Sequence, residues 1–315
     1  MNGFNNLPNK SDQNTYIFYA NASGSISGSF QAWNIPEYAT FLHFTVIGGG
    51  GGGGGGCGGT PLASGRSGGG GGAPGGIVAV SIPAILLPKT LYLQVGYGGV
   101  PGTGSNSQAV GGQSGQNGTI SYICLYPEIN PGSTLIQSSN TDAGGGSGGG
   151  AGTANAGTAI TIADVLNLKW LGIAGNTVAQ TAGGNATTTI GSSVTYAGLL
   201  TGGAGGGNKQ ASSNNGSAGG NQIMTSINSY VTTTINGGTG GTNPAAGVDG
   251  ASGYFSWKPF IATGGAGGGA GSVSANGGNG GKGAYGCGGG GGGAAGVVGG
   301  TGGAGGNGLI IITIS

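Results

Sequence analysis

Charge is nearly missing from this chain: 4% of its 315 residues are Asp, Glu, Lys or Arg, and the net charge is +1. Seven basic side chains spread over that length cannot form the positive stripe that nucleic-acid binding needs, so no nucleic-acid partner is expected. Chemistry-bearing groups are as scarce. His43 is the only histidine, and it lies in an apolar run where a hydrogen-bonded core or interface role is expected rather than catalysis. The carboxylates Asp12, Glu37, Glu128, Asp142, Asp164 and Asp249 never fall close together in sequence, so a glycosidase-like acid and base would need long-range folding to assemble. No GxxxxGK[ST] motif occurs, and short patterns such as Gly98–Gly99 lack the helix that a phosphate site requires. The chain is therefore not expected to be an enzyme. No catalytic, cofactor-binding or metal-binding residue is assigned, and no cofactor.

Cysteine is thin too. Cys57, Cys124 and Cys287 make neither a disulfide framework nor a CxxC metal pattern. Cys57 and Cys287 each interrupt a polyglycine tract and could meet across packed tracts, but buried free thiols are the expectation. No apolar run reaches about 18 residues, so no membrane span is expected. The stretch MNGFNNLPNKSDQNTY has no apolar core of the secretory kind, so release by lysis or assembly, or from a processed precursor, is expected. Asn-X-Ser/Thr at Asn9, Asn21, Asn117, Asn185 and Asn215 reads as turn chemistry unless a eukaryotic secretory pathway makes the protein.

What the chain has is glycine: 87 residues, with 11 prolines. Aperiodic chains of that composition are usually disordered, but disordered chains carry many charges and little apolar content. Here the 36% hydrophobic residues gather into short runs. Thr15–Ala20, Thr40–Ile47, Gly76–Ile85, Thr90–Val95 and Thr119–Leu125 are β-branched and aromatic, bounded by Gly, Pro or Asn, and predict strands. Phe41–Ile47 has apolar residues on both faces and predicts a strand buried on both sides. The closing run Leu309–Ile314 would be an aggregation hazard unless paired, which places it in a central sheet.

Between these anchors lie Gly48–Gly56, nine glycines in a row, and Gly68–Gly72. Polyglycine has no side chain to bury and the largest backbone entropy to lose, so it orders only if neighbouring chains hydrogen-bond its backbone. Polyproline II helices packed side by side supply that arrangement, and nine residues would span about 28 Å. Triplets support it: Gly277–Gly278–Asn279, Gly280–Gly281–Lys282 and Gly283–Ala284–Tyr285 step in register, as do Gly299–Gly300–Thr301, Gly302–Gly303–Ala304 and Gly305–Gly306–Asn307. Glycine edges would face neighbours while Asn, Lys and Thr face solvent. Collagen fits poorly, because the period breaks and proline is rare in the tracts.

The predicted fold is all-β: short, sandwich-like strands anchoring a glycine-rich polyproline II bundle. Residues 1–129 form an N-terminal β and glycine-rich domain, 130–252 an inserted Ser/Thr/Asn-rich lobe, and 253–315 a glycine-rich segment completing the first domain. Within the lobe, Ile160–Trp170 is either a strand or a strand followed by a helical turn; Val194–Leu200 and Ile223–Ile235 are further apolar runs. Tyr254, Phe255, Trp257 and Phe260 form an aromatic peak that is either an adhesive platform or, more simply, a cap on the bundle.

The stretch Trp33–Asn34–Ile35–Pro36, leading into the strand Phe41–Ile47 and its glycine tract, resembles the glycine-rich domains of phage tail-fibre and other virion proteins. The likeness continues through Gly75–Val80, Leu91–Gly99 and Gly308–Ile314, and covers residues 30–125 and 253–315 but not the middle lobe. It implies a virion surface, tail or host-adhesion component, located on the virion or otherwise extracellular, with other virion proteins, a host receptor and further copies of itself as partners. A minor capsid or capsid-decorating role in a large virus is the alternative. The chain is also similar to the snow-flea type of ice-binding bundle, although that type is compact and disulfide-bonded. A silk-like filament protein would show longer, more uniform repeats.

Overall fold

The computed structural model describes residues 14–21, 30–59, 65–107, 110–150, 176–177, 194–196, 200–210, 213–224, 233–257 and 260–315. The strands are β1 (Thr15–Tyr19), β2 (Gln31–Asn34), β3 (Phe41–Ile47), β4 (Ile77–Pro83), β5 (Thr90–Gln94), β6 (Tyr122–Cys124), β7 (Thr134–Gln137), β8 (Asn176–Thr177), β9 (Val194–Tyr196), β10 (Gln222–Met224), β11 (Thr233–Ile235), β12 (Phe255–Trp257), β13 (Phe260–Ala262) and β14 (Leu309–Ile314). A single 3₁₀ turn, Ala84–Leu86, is the helical content among the described residues. The protein is all-β, as its strand-like runs predict.

Sheet one runs β1-β14-β3-β4-β8 and sheet two β2-β5-β6-β7, with every neighbouring pair antiparallel. The two sheets pack face to face. Leu42, Phe44, Val46, Val78, Val80, Ile82, Ile310, Ile312 and Ile314 from sheet one meet Trp33, Leu91, Leu93, Ile123 and Ile136 from sheet two. The alternating residues of β3 behave differently from their prediction. Leu42, Phe44 and Val46 are buried, but Phe41 is 46% exposed and His43 is exposed, so the strand is central in its sheet yet covered on one face over most of its length. Only Ile47, at the glycine end, is buried on the other face, where Ile77, Leu200, Ala262, Cys287 and Leu309 gather round it.

At one end of the sandwich the strands continue as glycine-rich segments. Residues 48–57 prolong β3, 67–76 lead into β4, 96–105 leave β5, 113–121 enter β6, 138–150 leave β7 and 299–308 enter β14. The backbone of 48–57 shows how they pack. Gly48, Gly51, Gly54 and Cys57 donate to Gly76, Ala73, Gly70 and Ser67. Gly49, Gly52 and Gly55 donate to Thr119, Gln116 and Gln113, while Gly50, Gly53 and Gly56 donate to Gly306, Gly303 and Gly300. Their carbonyls accept from Gly99, Gly102 and Ser105, from Gly289, Gly292 and Ala295, and from Gly146 and Gly149. One tract thus has six neighbouring segments, three receiving its N–H groups and three donating to its carbonyls. The partner changes every residue and returns every third, which is the repeat of a polyproline II helix.

Two further tracts are surrounded in the same way. Residues 287–295 bond to 51–57, 69–72, 201–207, 265–271, 278–281 and 300–306; residues 265–271 bond to 204–207, 217–220, 238–241, 248–251, 278–281 and 288–294. Six neighbours around each interior member define a hexagonal lattice. Of the stretch 130–252, β7 lies in sheet two and the segments 200–210, 213–222 and 235–252 hydrogen-bond into this lattice. Ile160–Trp170 lies outside the described residues.

The lattice accepts a methyl group at a few positions, with Ala204, Ala266, Ala270 and Ala294 fully buried in it, but at most of its glycines there is no room for a β-carbon. A Cβ on Gly53 would stand 2.0 Å from the Gly290 carbonyl oxygen, and one on Gly50 2.2 Å from that of Cys287. Both clashes are with backbone that is itself held by hydrogen bonds, so no rotamer change relieves them. Gly150 is the contrast, since nothing lies within 4 Å of its Cβ position. Gly53→Ala is expected to lower the thermal midpoint by more than about 10 °C or to abolish folding, an overpacking penalty of at least about 3 kcal/mol. Gly150→Ala is expected to move it by less than about 2 °C, and thermal unfolding followed by circular dichroism of the two variants tests the lattice directly.

Candidate functional site

Apart from a few buried alanines within the bundle, side chains lie in three zones: the sandwich, the step where sandwich becomes bundle, and the bundle's surface and far end. Among the described residues no three His, Cys, Asp or Glu side chains converge on one point. His43 stands on the exposed face of β3 rather than in the core. Its Nδ1 is 2.6 Å from the Ser81 hydroxyl and its Nε2 3.1 Å from that of Ser315, so it ties β3 to β4 and to the end of β14.

The cysteines are all buried, and none forms a disulfide. The two in polyglycine tracts do not meet. Residues 51–57 and 289–295 run in parallel, with Gly289 on Gly51 and Ala295 on Cys57, so Cys287 sits near the sandwich and Cys57 near the far end. Eight residues of extended chain separate their levels, roughly 25 Å, whereas a disulfide needs Cα atoms within about 7 Å. Burial pushes the Cys287 thiol up to about 12, the hydrogen bond with the Thr201 backbone only partly opposing it. Burial also raises Cys57, against the opposing pull of neighbouring Arg66, and raises Cys124.

At the far end Arg66 and Lys209 pair backbone to backbone, and both side chains are buried. Arg66 Nη1 donates to the Ala295 carbonyl at 2.7 Å, and Lys209 Nζ donates to the carbonyls of Gln210 and Ser213. Burial lowers both cations, and Lys209 is lowered further by Arg66. These two buried cationic side chains therefore act as plugs on carbonyls where the lattice stops. Residues 105–107 and 110–112 and the turns at 243–245, 272–276 and 296–299 share this end, with Val110 at 80% exposure and Val297 at 42%.

Asparagine has a role on the bundle surface that the triplet pattern alone did not reveal. Asn279 and Asn307 are exposed, as expected of the third triplet position, yet their side-chain oxygens turn sideways: Asn279 Oδ1 accepts from Thr301 N–H at 2.9 Å and Asn307 Oδ1 from Gly98 N–H at 2.9 Å. Asp249, Asn117 and Asn221 do the same for Asn279, Gly145 and Gly237. A surface segment has N–H groups that point out of the lattice, and these clasps satisfy them. The signal was in the sequence as Asn or Asp recurring beside glycine pairs.

The aromatic peak covers the step on the outer face of sheet one. Phe255 meets Tyr285 at 5.0 Å and Phe260 at 5.8 Å between ring centroids, and Tyr285 meets Tyr19 at 5.9 Å. Phe255 and Phe260 pack on the cluster of Ile47, Ile77 and Leu309, which is a cap. Tyr254 and Trp257 remain 43% and 42% exposed.

Comparison with known families places a glycine-rich domain model over residues 24–315. No curated protein matches the chain.

Two measurements check this description. Asn279→Ala removes one clasp without touching the lattice interior and is expected to cost about 1 kcal/mol in urea unfolding. None of the three thiols is expected to react with a disulfide reagent at pH 8 in the folded protein, and all three once it is unfolded. Because the folded thiols stay protonated while unfolded ones ionise above about 8.5, stability falls as pH rises from there toward the Cys287 value of about 12.

Proposed function

The chain belongs to the glycine-rich domain family, and from that premise we propose that it is a non-catalytic structural component of a virus particle, most consistent with a surface fibre, tail or host-adhesion part. Its glycine segments are polyproline II helices. They form a shaft that is stiff because each interior tract is hydrogen-bonded to six neighbouring segments. The observation that carries this reading is the segregation of side chains. The shaft presents almost none inside, while the sandwich at one end and the turns at the other bear the apolar groups a partner would hold. Tyr38, Phe41, Ile85 and Leu86 at the outer tip of the sandwich are exposed at 57%, 46%, 92% and 48%, which suits attachment to another virion protein or a further copy. The far-end turns suit contact with a host surface.

An ice-binding role is less well supported, because the Asn oxygens that would line a flat face are engaged with neighbouring N–H groups. Immunogold labelling of particles purified from the virus that encodes the chain tests the proposal. Label on fibres or tail tips is the expected result, a regular lattice over the shell would make it a capsid protein, and no label on any particle would overturn the virion reading.

A further inference from the structure

We infer that the step between sheet two and the bundle is a saccharide-binding pocket, sized for one sugar ring and formed by Gln94, Tyr97, Thr119, Tyr122 and Asp142. A cavity arises there for a mechanical reason. Where two sheets about 10 Å apart close into a lattice, the outer face of each sheet is left with a ledge. On sheet one the β12–β13 hairpin fills it. On sheet two Ile129, before β7, and Asp142, after it, border the ledge but leave a cavity of about 200 Å³. That lies below the roughly 300 Å³ at which drug-sized sites begin, so it takes one ring rather than an extended ligand.

The lining selects the ligand's chemistry. The Tyr97 hydroxyl is shielded from solvent, and among the described residues no group is within hydrogen-bonding reach of it. Thr119 Oγ1 accepts the Tyr97 backbone N–H at 2.7 Å, which leaves its own proton free to donate. Burial, and next the Asp142 carboxylate, push the Tyr122 phenol up, so it stays neutral and able to donate. Asp142 is exposed at the mouth and accepts. Val95 and Ile120 add apolar wall beside the two tyrosine rings. A sugar ring presents hydroxyls at its rim and C–H groups on its faces, which answers this mixture of donors, acceptors and rings. An anion would be repelled by Asp142, and a purely apolar ligand would leave the Tyr97 hydroxyl unpaired. The inference does not depend on the virion reading, and either can fail alone.

Saturation-transfer NMR with the methyl glycosides of glucose, galactose, mannose and N-acetylglucosamine tests it on the full chain. At least one is expected to bind at about 10 mM or below, with Asp142→Asn and Tyr97→Phe each weakening it about tenfold. Both variants are expected to keep the thermal midpoint, because Asp142 is exposed and the Tyr97 hydroxyl has no bond to lose. Absence of transfer from all four glycosides would overturn the pocket, as would binding that survives both substitutions.

Discussion

Removal of the β-carbon lets the two halves of the sandwich hydrogen-bond to each other, and the remaining architecture depends on it. In a sandwich, side chains hold the sheets about 10 Å apart while backbone bonds run only within each sheet, across about 4.8 Å. Past Ile47 the side chains stop. Gly49 and Gly52, which prolong a strand of sheet one, donate to Thr119 and Gln116, which lead into a strand of sheet two. The interlayer contact has changed from apolar packing to backbone bonding, and a two-layer structure has become a lattice with equivalent contacts all round. At most of the interior glycines side chains cannot be put back locally, because a carbonyl oxygen stands about 2 Å from where the Cβ would be.

This exchange has an energetic character unlike that of an ordinary core. Each glycine loses more conformational freedom on ordering than any other residue and gains no apolar burial. The compensation is a pair of backbone bonds per residue, each worth about 1 kcal/mol net and expensive to leave unmade. Since the partners of one tract lie in six segments distant in sequence, no tract is satisfied until its neighbours are in place. Ordering is therefore collective, and the hydrophobic sandwich is what can bring the segments into register first. Leu42, Phe44, Val46 and their counterparts in β4 and β14 fix the strands, and the lattice extends the pairing Ile47 with Ile77 into Gly48 with Gly76.

Much of this was legible in the sequence, for reasons that also explain the failures. The runs that became β1, β3, β4, β5, β6 and β14 announce themselves by β-branched residues bounded by glycine, and the threefold repeat was visible in the triplets. β2 and β7 were not, because Gln31–Asn34 and Thr134–Gln137 are four residues long and mostly polar at their ends. The faces of β3 were misread because Phe41 and Ile47 are equally apolar, yet Phe41 lies at the open tip and Ile47 under the aromatic hairpin. The separation of Cys57 from Cys287 depends on tract direction, which polyglycine cannot encode: without side chains nothing in 48–56 distinguishes a parallel neighbour from an antiparallel one. Direction is set by the turns and strands at the ends.

Specificity must then reside where side chains return. The interior of the shaft offers a ligand no side chain to meet, and its surface is tuned by clasps such as Asn279 and Asn307, which close its own N–H groups rather than address a ligand. The ends differ. At the far end the lattice is stopped by Arg66 and Lys209 on its last carbonyls, and at the near end by two ledges, one filled with Phe255, Phe260 and Tyr285 and the other left partly open beside Tyr97 and Asp142. The mismatch between sheets about 10 Å apart and hydrogen-bonded neighbours about 4.8 Å apart accounts for a ledge on each sheet. How each is filled is free to vary without disturbing either element, which makes the step a place where recognition can change while the scaffold stays the same.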